Sequence, residues 1–310
     1  MEEERRNMKN TKPEEKEEFK SGYVAIAGAP NAGKSTLLNK LLGFKISITS
    51  KKPQTTRNKI LGVVHRPSSQ LVLIDTPGIH KANNALNIKI VDTALSTFGD
   101  VDIILLLGDA ANPDPKSESI LIKNIEKIKK PVVLALNKID IIDKPKLAEA
   151  IISWEQKFDF KDIVPVSAKS AEGVEELLCV LENLLPLGPP FFPADMLTVL
   201  PERFIAAEMI REKIFRLTGQ EIPYASAVTI DSYTEKKSKG LVAIEATIHI
   251  ERDSQKGIII GKNGTKLKQI GMQAREEIEQ LIGTKVFLQL FVKVDKDWSK
   301  SDRTLKKFGY

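Results

Sequence analysis

The chain has 310 residues, of which 28% are charged and 6% aromatic, and a net charge of +6. That length suits two ordinary domains, each with its own core, and no run of 18 or more apolar residues points to a membrane span. The opening MEEERRNMKN carries charge where an export signal needs an apolar segment, and the single Cys179 excludes an internal disulfide. A cytoplasmic protein is expected.

Residues 1–20 are mostly Glu, Lys and Arg, which predicts a solvated tail. From residue 21 to 185 apolar runs alternate with helical stretches. GYVAIAG, QLVLID, VDIILLLGD, PVVLALN and IVPVS read as buried strands of a mostly parallel sheet. GKSTLLNKLLG, KSESILIKNIEKIKK, KPKLAEAIISWEQKF and GVEELLCVLENLLP read as helices between them. Cys179 falls in the last of these, on what reads as an apolar face, and a packing role is expected. The pattern predicts an α/β domain with its ligand at the carboxyl ends of the strands.

Residues 186–200, PLGPPFFPADMLTVL, are proline-rich and aperiodic, and predict a linker or an irregular docking segment. Residues 201–310 then read helix, strand, charged turn, strand, helical stretch, helix and strand, a smaller α+β domain. That part holds 20 Lys and Arg against 15 Asp and Glu, and Arg252 to Arg275 alone has six basic residues and one acid.

Gly28, Ala29, Pro30, Asn31, Ala32, Gly33, Lys34 and Ser35 fit the pattern G-x-x-x-x-G-K-[ST] between a strand and a helix, with Thr36 following. Such a loop cradles phosphates with backbone amides, while Lys34 offsets charge on the outer phosphates and Ser35 offers a hydroxyl to magnesium. Asp75, Thr76, Pro77 and Gly78 end the run QLVLID. There Asp75 can hold Mg2+ through water, and the Gly78 amide can face the γ-phosphate. Asn137, Lys138 and Asp140 end PVVLALN, and a carboxylate at Asp140 can accept from the two adjacent N–H groups of guanine, which adenine lacks. Ser167, Ala168 and Lys169 would close over the base. Between these motifs lie Thr55 and Thr56, one of which should bind the metal only while the γ-phosphate is present. Thr56 is favoured, and the register is left open. The set predicts GTP and GDP as ligands with Mg2+, and Lys34, Thr56, Gly78 and Asn31 as the residues nearest catalysis.

Taken together, these motifs resemble the translation-factor-related P-loop GTPases. The stretch GAPNAGKSTLLNKLLGFKISITSKKPQTTR is similar to the Era family of bacterial ribosome-assembly GTPases. Ile79 stands where Ras-like enzymes carry a water-orienting glutamine, so slow intrinsic hydrolysis is expected. By similarity to related GTPases, Asn31 is expected to help hold K+ against the phosphates. His80 reads as a polar switch side chain, and His65 and His249, within strand-like runs, carry no recognisable chemistry.

The stretch KGIIIGKNGTKLKQIG supplies a Gly-x-x-Gly turn between two helical stretches, the signature of a KH domain, which clamps about four nucleotides of single-stranded nucleic acid. Gly261, Asn263 and Gly264 form the turn with Lys262, Lys266 and Lys268 follow on the helix, and Ile258, Ile259 and Ile260 are expected to line the groove. The resemblance implies a type II KH domain whose RNA is the 3′ end of small-subunit ribosomal RNA. It also implies a monomer acting on the 30S subunit, with a possible peripheral contact at the inner membrane surface. GTP is expected to act on the RNA surface through residues 186–200.

Overall fold

The computed structural model describes residues 18–50, 52, 55–78, 96–219, 221–236 and 240–309. Ile79, His80 and most of the charged tail lie outside them. The first half is a six-stranded sheet: β1 (Lys20–Gly28), β2 (Ile60–His65), β3 (Ser69–Asp75), β4 (Ile103–Asp109), β5 (Val132–Asn137) and β6 (Asp162–Val166), in the order β2-β3-β1-β4-β5-β6. The five expected strands are parallel, while β2 runs antiparallel along β3 at the edge. Both faces are covered, so the inner strands are buried at nearly every position, which is why they read as continuous apolar runs.

Among the described residues, helices α1 (Lys34–Leu42), α2 (Pro115–Ile125), α3 (Lys144–Glu155) and α4 (Val174–Leu184) follow strands, and residues 96–99 are also helical. Asp114 and Asp143 cap α2 and α3 by accepting from the amides of Ser117 and Lys146, which satisfies N–H groups that a helix start leaves open. In α4 the buried stripe is Val174, Leu177, Leu178 and Leu181. Cys179 falls off that stripe and is exposed, with Sγ 3.8 Å from an Arg66 nitrogen. The expected packing role is therefore corrected: the helical period carries position 179 away from the sheet.

The second half comprises α5 (Glu202–Leu217), β7 (Ser226–Lys236), β8 (Leu241–Ile250), α6 (Asp253–Ile260), α7 (Thr265–Ile282), β9 (Lys285–Val294) and α8 (Asp302–Lys307). Its sheet has the order β7-β8-β9, antiparallel then parallel, with α6 and α7 forming the crossover between β8 and β9. Residues 186–200 run along the first sheet as a strap. Gly188 donates to the Phe19 carbonyl, the Gln70 side-chain oxygen accepts from the amides of Phe191 and Phe192, and Val63 donates to the Leu197 carbonyl. A single buried apolar cluster reaches from Val24 and Leu37 through Ile205 and Ile210 to Ile244 and Ile270, so the two halves share one core.

Candidate functional site

The loop between β1 and α1 turns through Asn31 and Gly33, both with positive φ. A Cβ at Gly33 would lie 2.3 Å from the Asn137 amide nitrogen, so this close approach requires glycine. Lys34 is buried and donates to the carbonyls of Gly28 and Ala29, at 3.0 Å each. Burial pulls its pKa down to about 8, against the opposing pull of Asp75.

Asp75 gathers three hydroxyls on one oxygen. Ser35 donates at 2.7 Å and Ser47 at 2.9 Å, with Thr56 at 3.5 Å, and the Ser35 and Thr56 oxygens are 2.8 Å apart. The other carboxylate oxygen, Oδ1, is buried and has no hydrogen-bond partner among the described residues. Burial pushes the Asp75 carboxyl up, while Lys34 and the hydroxyls pull it down. A buried acceptor without a donor, beside two hydroxyls turned towards each other, fits a hard cation that takes oxygen ligands. The Thr55 hydroxyl instead donates to the Lys52 carbonyl at 2.8 Å. The hydroxyl of Thr76 is turned into the sheet onto the Ile26 carbonyl, so that side chain ties the loop to β1.

At the far end, Asn137 donates to the Ala32 carbonyl at 2.7 Å and accepts from the Ala168 amide at 2.9 Å, linking three of the expected motifs. Ser167 donates to Asp140 at 2.8 Å, which fixes one of its carboxylate oxygens. Lys138 pairs with Asp109. A cleft of about 1140 Å³ runs between these groups, lined by Pro30, Asn31, Gly33 to Thr36, Gly78, Lys138, Asp140, Ala168 and Lys169. A Cβ on Gly78 would meet Lys34 Nζ and Pro30 at 3.2 Å, so this backbone sits directly against the phosphate loop.

Phe215 and Arg216 from α5 also line the cleft, which no sequence motif indicated. The segment around the two threonines leans on that helix. Glu212, with no exposed side-chain surface, accepts from the Thr49 amide at 2.9 Å and from Lys45 at 2.6 Å. Arg211 donates to the Thr55 carbonyl at 2.5 Å, and Lys52 to the carbonyls of Phe215 and Thr218. Burial pushes the Glu212 carboxyl up, but Lys45, the Thr49 amide and Arg216 outweigh it, and the net shift is downward. The halves therefore also meet directly, through Lys45, Thr49, Lys52, Thr55 and Arg57, a contact additional to residues 186–200. Pairings across more than 150 residues leave no local periodicity to read.

The second expected site is the turn between α6 and α7. Gly261, Asn263 and Gly264 all have positive φ. Lys262 and Lys268 are exposed and Lys266 half-buried. Of the three isoleucines, Ile258 is 45% exposed whereas Ile259 is fully buried. Ile259 is thus corrected from groove to core, because a helix turns successive side chains about 100° apart, which leaves Ile258 exposed and Ile260 half-buried.

Family comparisons match both halves of the chain. Residues 23–138 match the family described as 50S ribosome-binding GTPase, and residues 221–299 match the KH domain family. The curated GTPase Era of Geotalea uraniireducens is 55% identical over 94% of this chain and 98% of its own length. That of Ruminiclostridium cellulolyticum is 49% identical over 94% and 98%. Among solved structures, an Aquifex aeolicus Era variant bound to GDP and aluminium fluoride has a TM-score of 0.91 at 40% identity, over 94% of this chain and 99% of that one. An Era complex with MgGDPNP and nucleotides 1506–1542 of 16S ribosomal RNA gives the same values. The chain belongs to the Era family of GTPases.

Proposed function

We propose that this protein hydrolyses GTP and uses the bound nucleotide to govern binding of the 3′ end of small-subunit ribosomal RNA by its KH domain, in assembly of the 30S subunit. One observation carries the reading. The Thr56 hydroxyl lies 2.8 Å from that of Ser35, while Thr49, Thr55 and Arg57 on either side of it are bonded to the KH half. An RNA-bound relative supports the choice of RNA.

Mg2+ there would supply positive charge against that which develops as the γ-phosphoryl leaves. Ser35 and Thr56 would hold it directly and Asp75 through water, while Lys34 would balance the phosphate oxygens and the Gly78 amide would face the γ-phosphate. Asp140 accepts from guanine and Ala168 packs against the base. Asn31, exposed at the mouth of the phosphate loop, holds K+ there, and hydrolysis that is equally fast in sodium and potassium buffers overturns that role.

The domain division is residues 21–185 for the GTPase, 186–200 for the strap and 201–310 for the RNA-binding part. The protein acts as a cytoplasmic monomer, and any lipid contact is peripheral, through the basic turn. No described helix is long and apolar enough to cross a membrane.

The test is binding of a labelled RNA copied from the 3′ end of small-subunit ribosomal RNA, at fixed salt, in GTP-analogue and GDP states. Tight binding in the first state, lost in Gly264→Asp, supports the reading. Equal binding in both states leaves two independent modules, and indifference to Gly264→Asp removes the clamp.

A further inference from the structure

The last residues of the chain form a small apolar cluster of their own. Trp298 and Leu305, with Phe308 beside them, pack on Ala227 of β7, apart from the main core. The Arg57 guanidinium carbon lies over the Trp298 indole, 5.9 Å from its centroid, within the distance at which an aromatic face attracts a cation. Trp298 is 1% exposed and Arg57 4%, so little water screens that attraction.

The two side chains also share one turn. Residues 223–226 lead into β7, and each of their carbonyls accepts from one of the pair. Arg57 donates to those of Pro223, Tyr224 and Ser226, and the Trp298 Nε1–H donates to that of Ala225 at 3.0 Å. Trp298 therefore holds both the guanidinium and the backbone that supplies its acceptors. Arg57 in turn stands next to Thr56, whose hydroxyl is 2.8 Å from that of Ser35 and 3.5 Å from an Asp75 carboxylate oxygen.

We propose that Trp298 is a positioning residue for the metal site, holding Arg57 and through it the Thr56 hydroxyl. The inference rests on the reading of Ser35, Thr56 and Asp75 as the Mg2+ site. A guanidinium hydrogen-bonds in its own plane, so carbonyls fix it there, and an aromatic face over that plane supplies the contact they cannot. On the other side of Thr56, the Thr55 carbonyl accepts from Arg211. With both neighbours tied, the hydroxyl between them loses freedom on folding rather than on meeting the metal. A leucine at position 298 would fill apolar space but offer neither the donor for Ala225 nor a π-face. Thr56 is expected to meet the metal only while the γ-phosphate is present, so the loss should fall on the GTP state and spare the GDP state.

The experiment uses the full chain and measures affinity for a GTP analogue and for GDP at fixed Mg2+, with the Mg2+ concentration for half-maximal GTP hydrolysis alongside. Trp298→Leu, Trp298→Phe and Thr56→Ala are compared, with thermal melts to verify folding. Trp298→Leu should weaken the GTP analogue and raise the Mg2+ requirement by about threefold or more, leave GDP affinity unchanged, and exceed Trp298→Phe in both effects. Fluorinated tryptophan placed at position 298 by nonsense suppression keeps the size and the N–H while draining π density, which guards against a leucine variant that does not fold. The Mg2+ requirement should rise with the number of fluorines. Equal losses of GTP-analogue and GDP affinity would make Trp298 a packing residue and overturn the proposal, as would a Mg2+ requirement indifferent to both leucine and fluorine. Thr56→Ala separates the two readings. If it leaves the Mg2+ requirement unchanged, the metal reading falls; if it raises that requirement while the changes at Trp298 do not, only the role of Trp298 falls.

Discussion

Arg57, next to the threonine that faces Ser35, donates to the Ser226 carbonyl at 2.9 Å in the other half of the chain. It also donates to the carbonyls of Pro223 and Tyr224 at 3.0 Å each, and it is almost fully buried. One guanidinium thus binds three main-chain acceptors, one of which, the Pro223 carbonyl, also accepts from the Ser226 hydroxyl, and it anchors the residue next to Thr56. Replacing it with alanine removes three hydrogen bonds from a largely buried cluster. A loss of about 2 kcal/mol or more in stability is expected, read from urea denaturation. In addition, the Mg2+ concentration needed for half-maximal GTP hydrolysis should rise severalfold, because Thr56 is no longer held near Ser35. An unchanged Mg2+ requirement in a destabilised Arg57→Ala protein would show that Arg57 serves packing alone.

A second bridge runs from the RNA clamp towards the same segment. Glu277 lies on α7, the helix opened by the Gly-x-x-Gly turn, and accepts from Lys45 at 2.8 Å and from Lys213. Lys45 also meets Glu212, which holds the Thr49 amide. Glu277→Gln should therefore shrink the ratio of RNA affinities between GTP-analogue and GDP states by several fold. A double-mutant cycle with Lys45→Met should give a coupling of about 1 kcal/mol. Linkage requires the change in nucleotide affinity caused by RNA to shrink by the same factor. If both ratios keep their wild-type values, this bridge is structural and the coupling travels elsewhere.

These contacts mark where the sequence was legible. The candidate GTP site could be read because its parts are short, ordered and set on strand ends: Lys34, Asn137 and Ala168 line one cleft, and Asp75 accepts from Ser35, which lines it too. Burial on both faces made the parallel strands equally plain. The face of Ile259 could not be read, because three consecutive isoleucines carry no helical phase. The exposure of Cys179 was missed for a related reason, since EELLCVLENLL is apolar on more than one side. Lys45, Arg57 and Glu212 pair with residues far along the chain, and an exposed charge and a buried partner look alike in sequence.

Burial gives the nucleotide site a pH dependence. Lys34 has its pKa lowered to about 8, and phosphate oxygens favour its charged form. Nucleotide binding should take up protons near and above pH 8, and affinity for GDP should fall as the pH rises through that value. Sign and stability follow the same rule in opposite senses. The unfolded chain binds this proton more tightly than the folded one, so Lys34 on its own makes the protein more stable as the pH rises from about 8 towards 10.5. Calorimetry of GDP binding in buffers of different ionisation enthalpy reads the proton uptake. Affinity that stays flat between pH 7 and 9 would mean that Lys34 keeps its proton throughout.

The two glycines of the RNA turn should fail differently. At Gly261, φ is +71° and a Cβ would lie 2.8 Å from the Lys266 Cβ, so an alanine there meets strain and a clash at once. At Gly264, φ is +75° but nothing lies within 4 Å of the added carbon. Gly264→Ala should cost about 1 kcal/mol of backbone strain and leave the turn in place, weakening RNA binding modestly. Gly261→Ala should displace Lys266, the first lysine of α7, and lose more of both stability and affinity. Gly264→Asp adds a negative charge on an open surface that backbone phosphates approach, so it should abolish RNA binding while melting close to Gly264→Ala. Thermal melts beside RNA titrations at two salt concentrations separate these effects. Aspartate and alanine at position 264 that weaken RNA equally would mean that space, rather than charge, governs this turn.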